Sequence, residues 1–115
     1  MTRHDDAVYL RHMLEHAREA ITLLGDLSTA QLREARVLQL ALLHLVEIVG
    51  ETATRVSRPT RDTLPNIPWR GMVNMRNKII HGYDTVKVEV LWDTIVNDLP
   101  PLVKLIEESL ESEKE

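Results

Sequence analysis

Residues 37–50 read Val-Leu-Gln-Leu-Ala-Leu-Leu-His-Leu-Val-Glu-Ile-Val-Gly, the longest apolar stretch of a 115-residue chain. Gln39, His44 and Glu47 interrupt it, so no membrane span is expected. Leu32, Ala35, Leu38, Leu42, Leu45 and Val49 recur at helical steps and carry one apolar stripe from Ser28 toward Ser57. Ser28-Thr29-Ala30-Gln31 has the form of a capping box, which fixes where the stripe begins. These residues predict one long central helix.

The flanking segments supply its partners. From about Asp5 to Leu24 the residues Val8, Leu10, Leu14, Ala17, Ile21 and Leu24 repeat at three- and four-residue steps, with Gly25 as a stop. Pro59, Pro65 and Pro68 then break the chain, and Pro68 stands where a third helix, Trp69 to about His81, would begin. Gly82 follows as a left-handed terminator. A fourth helix starts near Val88, capped by Asp84 or Thr85, and Pro100 and Pro101 should kink or break it. Four helices joined by short turns predict an all-α, antiparallel up-and-down four-helix bundle. No repeat or linker divides residues 1–115, so one domain is expected.

Composition agrees. Aromatic residues make up 3% with no Phe, so Leu, Ile, Val, Ala and Met must fill the core. Without Cys there are no disulfides or thiolate metal sites, and without an amino-terminal signal pattern a soluble, cytoplasmic protein is expected. The net charge of −4 argues against a general nucleic-acid coat, but the charge is unevenly spread. Residues 55–78 hold Arg55, Arg58, Arg61, Arg70, Arg76 and Lys78 against Asp62 alone. That basic block leads into Met75-Arg76-Asn77-Lys78-Ile79-Ile80-His81-Gly82-Tyr83-Asp84.

Here the chain looks built for chemistry. Arg76, His81 and Tyr83 form Arg-x(4)-His-x-Tyr. On an ideal helix Arg76 and His81 are separated by about 140°, so they flank a site, whereas Asn77 and His81 share a face. An imidazole can give or accept a proton near neutral pH, and a guanidinium can neutralise charge developing on a phosphodiester. Asn77, Lys78 and Arg70 are candidates for positioning the substrate. In RNA the adjacent 2′-hydroxyl is the nucleophile, so no metal or cofactor is required, and the products would be a 2′,3′-cyclic phosphate and a 5′-hydroxyl. Cleavage needs two proton transfers, and a two-fold homodimer would supply a second His81. A structural role accounts for the same residues: Arg76 bridging a carboxylate, His81 filling the last turn, Tyr83 packing on the core.

The motif and its flanks resemble the HepT-like branch of the HEPN ribonucleases. The resemblance covers most of the chain and is carried by Ile67-Pro68-Trp69-Arg70, Met75-Arg76-Asn77, Ile80-His81-Gly82-Tyr83, and Trp92 with Asp98-Leu99-Pro100, with Gly50-Glu51 as a weaker block. It implies an all-α HEPN domain that dimerises and cleaves tRNA or mRNA without metal, with Arg76 and His81 catalytic. It further implies a toxin whose partner is an MNT-type nucleotidyltransferase antitoxin that adds AMP to Tyr83. Bulk and negative charge there would block RNA. The chain departs from the family at Lys87, where relatives often have an acidic cap. The alternative is a catalytically silent helical adaptor that binds such a nucleotidyltransferase.

Other polar residues fit blander roles. His44, Glu47 and Glu51 form a polar stripe on the central helix, expected to meet partners such as Arg76. His12 and His16, with His4 and Glu15 nearby, have zinc-ligand spacing but no fixed third ligand, and read as a solvated face. Trp69 and Trp92 read as core anchors, and Glu107 to Glu115 as a fraying helix end.

Overall fold

The structure, a computed structural model, describes residues 3–114; Met1, Thr2 and Glu115 lie outside the described residues. Those residues form seven α-helical segments: α1 (His4–Leu24), α2 (Thr29–Arg33), α3 (Arg36–Ala53), α4 (Arg58–Thr63), α5 (Trp69–His81), α6 (Val88–Asp93) and α7 (Leu99–Lys114). They contain no strand. The all-α bundle is therefore as expected, with α6 and α7 acting as one rod.

The central helix is not continuous. Ala35 adopts φ −115° and ψ 72°, which separates α2 from α3. The buried Gln39 amide fills the break, donating to the carbonyls of Leu32 at 2.9 Å and Arg33 at 3.0 Å. A buried amide that finds its partners in a chain break is stable there, because neither side is left unsatisfied. The capping box at Ser28 is present, with Gln31 N–H donating to Ser28 Oγ at 3.1 Å and Ser28 N–H donating to Gln31 Oε1 at 2.9 Å.

Three further boundaries differ in detail. The proline-rich stretch forms α4, with Pro59 in its first turn, where a missing donor costs nothing. Gly82 ends α5 in extended backbone, φ 165°, so its terminator is not left-handed; Gly25 after α1 is, at φ 56°. Neither Asp84 nor Thr85 caps α6: Asp84 pairs with Arg36 at 2.8 Å, and Thr85 Oγ1 donates to the Gly82 carbonyl at 2.6 Å.

Pro100 and Pro101 do not break the last helix. The chain winds through a wider π turn, Thr94–Asp98, immediately before them and resumes as α7. Two consecutive missing N–H groups cannot serve a four-residue ladder, and a ladder slipped to five residues relieves the crowding of the rings.

One core unites these elements. Leu10, Met13, Leu24, Leu32, Leu42, Ile79, Leu91, Ile95, Leu102 and Ile106 are among its fully buried side chains. α1 packs along both α3 and α7, while α5 rests chiefly on α3. Both tryptophans anchor the core rather than present free faces: Trp69 Nε1–H donates to the Leu64 carbonyl at 3.0 Å, and Trp92 Nε1–H to the Leu27 carbonyl at 2.9 Å. No helix among the described residues is long and apolar enough to cross a membrane.

Candidate active site

α3 and α5 run antiparallel and come into close contact at Gly50. A Cβ on residue 50 would stand 2.5 Å from Arg76 Cβ and 2.7 Å from the Met72 carbonyl oxygen, so only glycine fits this approach. The stem of Arg76 therefore lies directly on the α3 backbone. Its guanidinium reaches Glu51, with Nε donating to Oε2 at 2.6 Å and Nη2 2.5 Å from the same oxygen. Nη1 donates to Asn77 Oδ1 at 2.8 Å. The Arg76 side chain keeps 28% of its surface exposed, so the pair sits at the edge of the protein rather than in its core.

Beyond Gly82, a 3₁₀ turn over Tyr83–Thr85 folds the chain back onto α3. Tyr83 Oη–H donates to Glu47 Oε1 at 2.7 Å. Burial, followed by the hydrogen bond and negative charge of Glu47, pushes the Tyr83 phenol above its ordinary value. Glu47 and Glu51 are one turn apart on α3, so a single helix face holds both the arginine and the tyrosine of the motif.

His81 is different. It is the last residue of α5, exposed, with no side-chain hydrogen-bond partner among the described residues. It stands about 7.5 Å along the helix from Arg76, rotated away onto the solvent face. A site that moves protons needs such a group within reach of substrate, with a ring nitrogen free to take or give the proton.

The remaining candidates divide. Asn77 joins the site by accepting from Arg76. Lys78 is exposed on the opposite flank of α5, along a groove toward the last helix. Arg70 is exposed and has no side-chain partner among the described residues, but it is about 16 Å from His81 along α5, so it is not part of the same cluster. His44, one turn before Glu47, is exposed and has no side-chain hydrogen-bond partner among the described residues. On α1, His16 Nδ1–H donates to the His12 carbonyl at 2.7 Å, within its own helix. The Glu47–Tyr83 pair has no local signal in the sequence, because it depends on how the chain turns after Gly82.

Residues 13–109 match the family model described as Ribonuclease HepT-like. The chain belongs to the HepT-like ribonuclease family. An RNase candidate from Methanocaldococcus jannaschii is 29% identical over 108 residues, covering 94% of this chain and 89% of that protein. One from Caldanaerobacter subterraneus subsp. tengcongensis is 31% identical, covering 92% and 95%. A ribonuclease HepT candidate from Thermococcus cleftensis is 42% identical over 64 residues, 56% of this chain and 58% of that one. No solved structure matches the chain. The span shared with the HepT-like family contains the whole site, and ribonuclease is the activity class these comparisons support.

Proposed function

We propose that this HepT-like protein is a metal-independent endoribonuclease toxin acting on tRNA or mRNA in the cytoplasm. The observation that carries the reading is the division of labour on α5: α3 carboxylates hold Arg76 and Tyr83, while His81 is exposed and uncommitted. In the proposed step the RNA 2′-oxygen bonds to the adjacent phosphorus and the 5′-oxygen leaves, giving a 2′,3′-cyclic phosphate and a 5′-hydroxyl. His81 of one protomer takes the 2′-hydroxyl proton and His81 of a two-fold partner delivers one to the leaving oxygen. Arg76 neutralises charge building on the phosphoryl oxygens, with Asn77 fixing the guanidinium.

The dimer is supported by apolar side chains left in solvent near the site. Val37 is 82% exposed, Ile80 52% and Leu40 37%, and Val37, Leu40 and His44 lead along one face of α3 to Glu47. The proposed antitoxin is an MNT-type nucleotidyltransferase that joins the Tyr83 oxygen to the α-phosphorus of ATP with loss of pyrophosphate. The adenylate would lie beside Arg76 and repel a phosphodiester.

One observation favours a silent adaptor instead: Arg76 is already neutralised by Glu51. The purified chain incubated with tRNA and mRNA in EDTA decides between them. The nuclease gives cyclic-phosphate ends, which disappear in His81→Ala and Arg76→Ala. Intact RNA with the wild-type chain would establish the adaptor.

A further inference from the structure

A groove of about 550 Å³ opens between α5 and the rod formed by α6 and α7, on the flank of α5 away from Arg76. Its floor is apolar, with Val46 and Val49 of α3 and Met72 and Met75 of α5. Its rim is polar: Asn66, Asn74 and Lys78 on one side, Asn97 and Asp98 on the other. The side chains of Asn66, Asn74 and Asp98 have no hydrogen-bond partner among the described residues, and Asn97 uses only its Nδ2, toward Asp93. Desolvation in the groove wall, then the charge of Asp93, push the Asp98 carboxyl above its ordinary value.

We infer that this groove is a base-binding subsite, which takes one nucleobase of the RNA strand beside the scissile linkage and sets where the chain cuts. The inference rests on the ribonuclease reading of the neighbouring motif. Volume fits, since small-molecule sites run from about 300 to 1,000 Å³. Chemistry fits as well. A base is a flat ring whose faces suit thioether and aliphatic surface, while its edge needs paired donors and acceptors. Amides that carry both on one side chain, with a carboxyl opposite, meet that edge.

Position supplies the third argument. Lys78 stands one turn before His81 on α5, about 4.5 Å along the axis, at the mouth of the groove. A nucleotide with its base between Asn74 and Asn97 would place its phosphate near Lys78 and its neighbouring linkage at the imidazole. An apolar helix of a partner protein is a poorer occupant, because it would strip water from Asn66, Asn74 and Asp98 without pairing them.

Methionine methyl resonances test this directly, with the four nucleoside 5′-monophosphates and ribose 5-phosphate as probes. Met72 and Met75 line the groove, and Met13 is wholly buried in the core as an internal reference. The expected result is a saturable shift of Met72 and Met75 by at least one nucleotide, at least fivefold tighter than by ribose 5-phosphate, with Met13 unmoved. Asn74→Ala and Asp98→Ala should each weaken it about tenfold and relax the base preference of cleavage. His81→Ala should bind as wild type does, which separates the subsite from the reaction; intact RNA with normal nucleotide shifts in the wild-type chain defeats the nuclease and leaves the pocket standing. Equal shifts with ribose 5-phosphate, none with any nucleotide, or shifts driven by protein concentration alone would overturn the inference, the last by showing that a second copy fills the groove.

Discussion

Gly50 and Arg76 are in contact through a gap that has no room for a methyl group: a Cβ at 50 would meet Arg76 Cβ at 2.5 Å and the Met72 carbonyl oxygen at 2.7 Å. Neither atom is the free end of a flexible side chain. Gly50→Ala must therefore push α5 off α3, which overpacking data place at about 1–3 kcal/mol. A melting midpoint lower by roughly 4 °C or more is expected, together with loss of RNA cleavage as Arg76 leaves Glu51. Melting and cleavage equal to wild type would show that the helices are not packed this closely.

Arg76 does two jobs at once, holding Glu51 through Nε and Nη2 and Asn77 through Nη1. A lysine has one ammonium and no fork, so Arg76→Lys keeps the charge and loses the geometry. On the proposed mechanism, in which the guanidinium acts on the transition state, cleavage should fall about 100-fold, mainly in kcat. Thermal stability should change little, the pair being at the surface. A lysine variant with wild-type kcat would remove the guanidinium from the mechanism.

Tyr83 offers a test at alkaline pH. Its folded value is raised by burial and by the hydrogen bond and charge of Glu47. Stabilisation from the protonated phenol is complete below the unfolded value of about 10 and is lost as pH rises through the folded value. Tyr83→Phe cannot ionise. It should cost about 0.5–1.5 kcal/mol at neutral pH, and its stability should decline less than that of wild type above pH about 10. Phenolate absorbance, compared between the two chains, gives the Tyr83 titration as a difference, and a midpoint at or below the ordinary value would refute the Glu47 contact.

The extent of what could be read in advance follows from distance along the chain. α5 is legible to its ends, because Pro68 and Gly82 are local signals, and Arg76, His81 and Tyr83 stand out as candidates because their spacing is contained in one segment. The polar stripe of Glu47 and Glu51 stood out against apolar neighbours, and its Arg76 partner could be foreseen. The break before α3 could not, since the apolar stripe runs through it and only a buried Gln39, an amide with no helical reason to be inside, marks the place. Arg70 is close to the motif in sequence, a proximity that a helix converts into about three turns of separation. The groove joins α5 to residues some twenty positions later, a juxtaposition that no local pattern encodes.

Asp6 predicts an acid-labile tether. It is 2% exposed and accepts from Ser57 N at 2.9 Å, Ser57 Oγ at 2.5 Å and Thr60 Oγ1 at 2.5 Å, so it ties α1 to the start of α4. Burial raises its pKa, but the hydrogen bonds from Ser57 and Thr60 and the charge of Arg3 outweigh this and leave it below the ordinary carboxylate value. The stabilisation is present above the unfolded value of about 3.9 and is lost as pH falls through the folded value. Asp6→Ala should cost about 1–3 kcal/mol at pH 7 and flatten the decline of stability below pH about 4. A variant that melts like wild type at both pH values would show that the tether contributes nothing.

The exposed apolar face gives the sharpest test of assembly. Leu40 lies on α3 between Val37, which is 82% exposed, and the Glu47–Tyr83 pair, and over a third of its own surface is in solvent. If a two-fold axis passes here, Leu40→Glu sets a carboxylate near its own symmetry mate, in a region that already carries Glu47 and Glu51. Burial of the new charge is unfavourable and the repulsion adds to it, so the dimer constant should weaken at least 100-fold while the protomer, whose own core is untouched, keeps its helical content. Sedimentation at about micromolar concentration should show one chain instead of two. If the partner supplies the second His81, cleavage should fall in step with dissociation and recover at high protein concentration. Full activity from a monomeric Leu40→Glu chain would mean that one His81 suffices, and a dimer of undiminished strength would place the interface elsewhere.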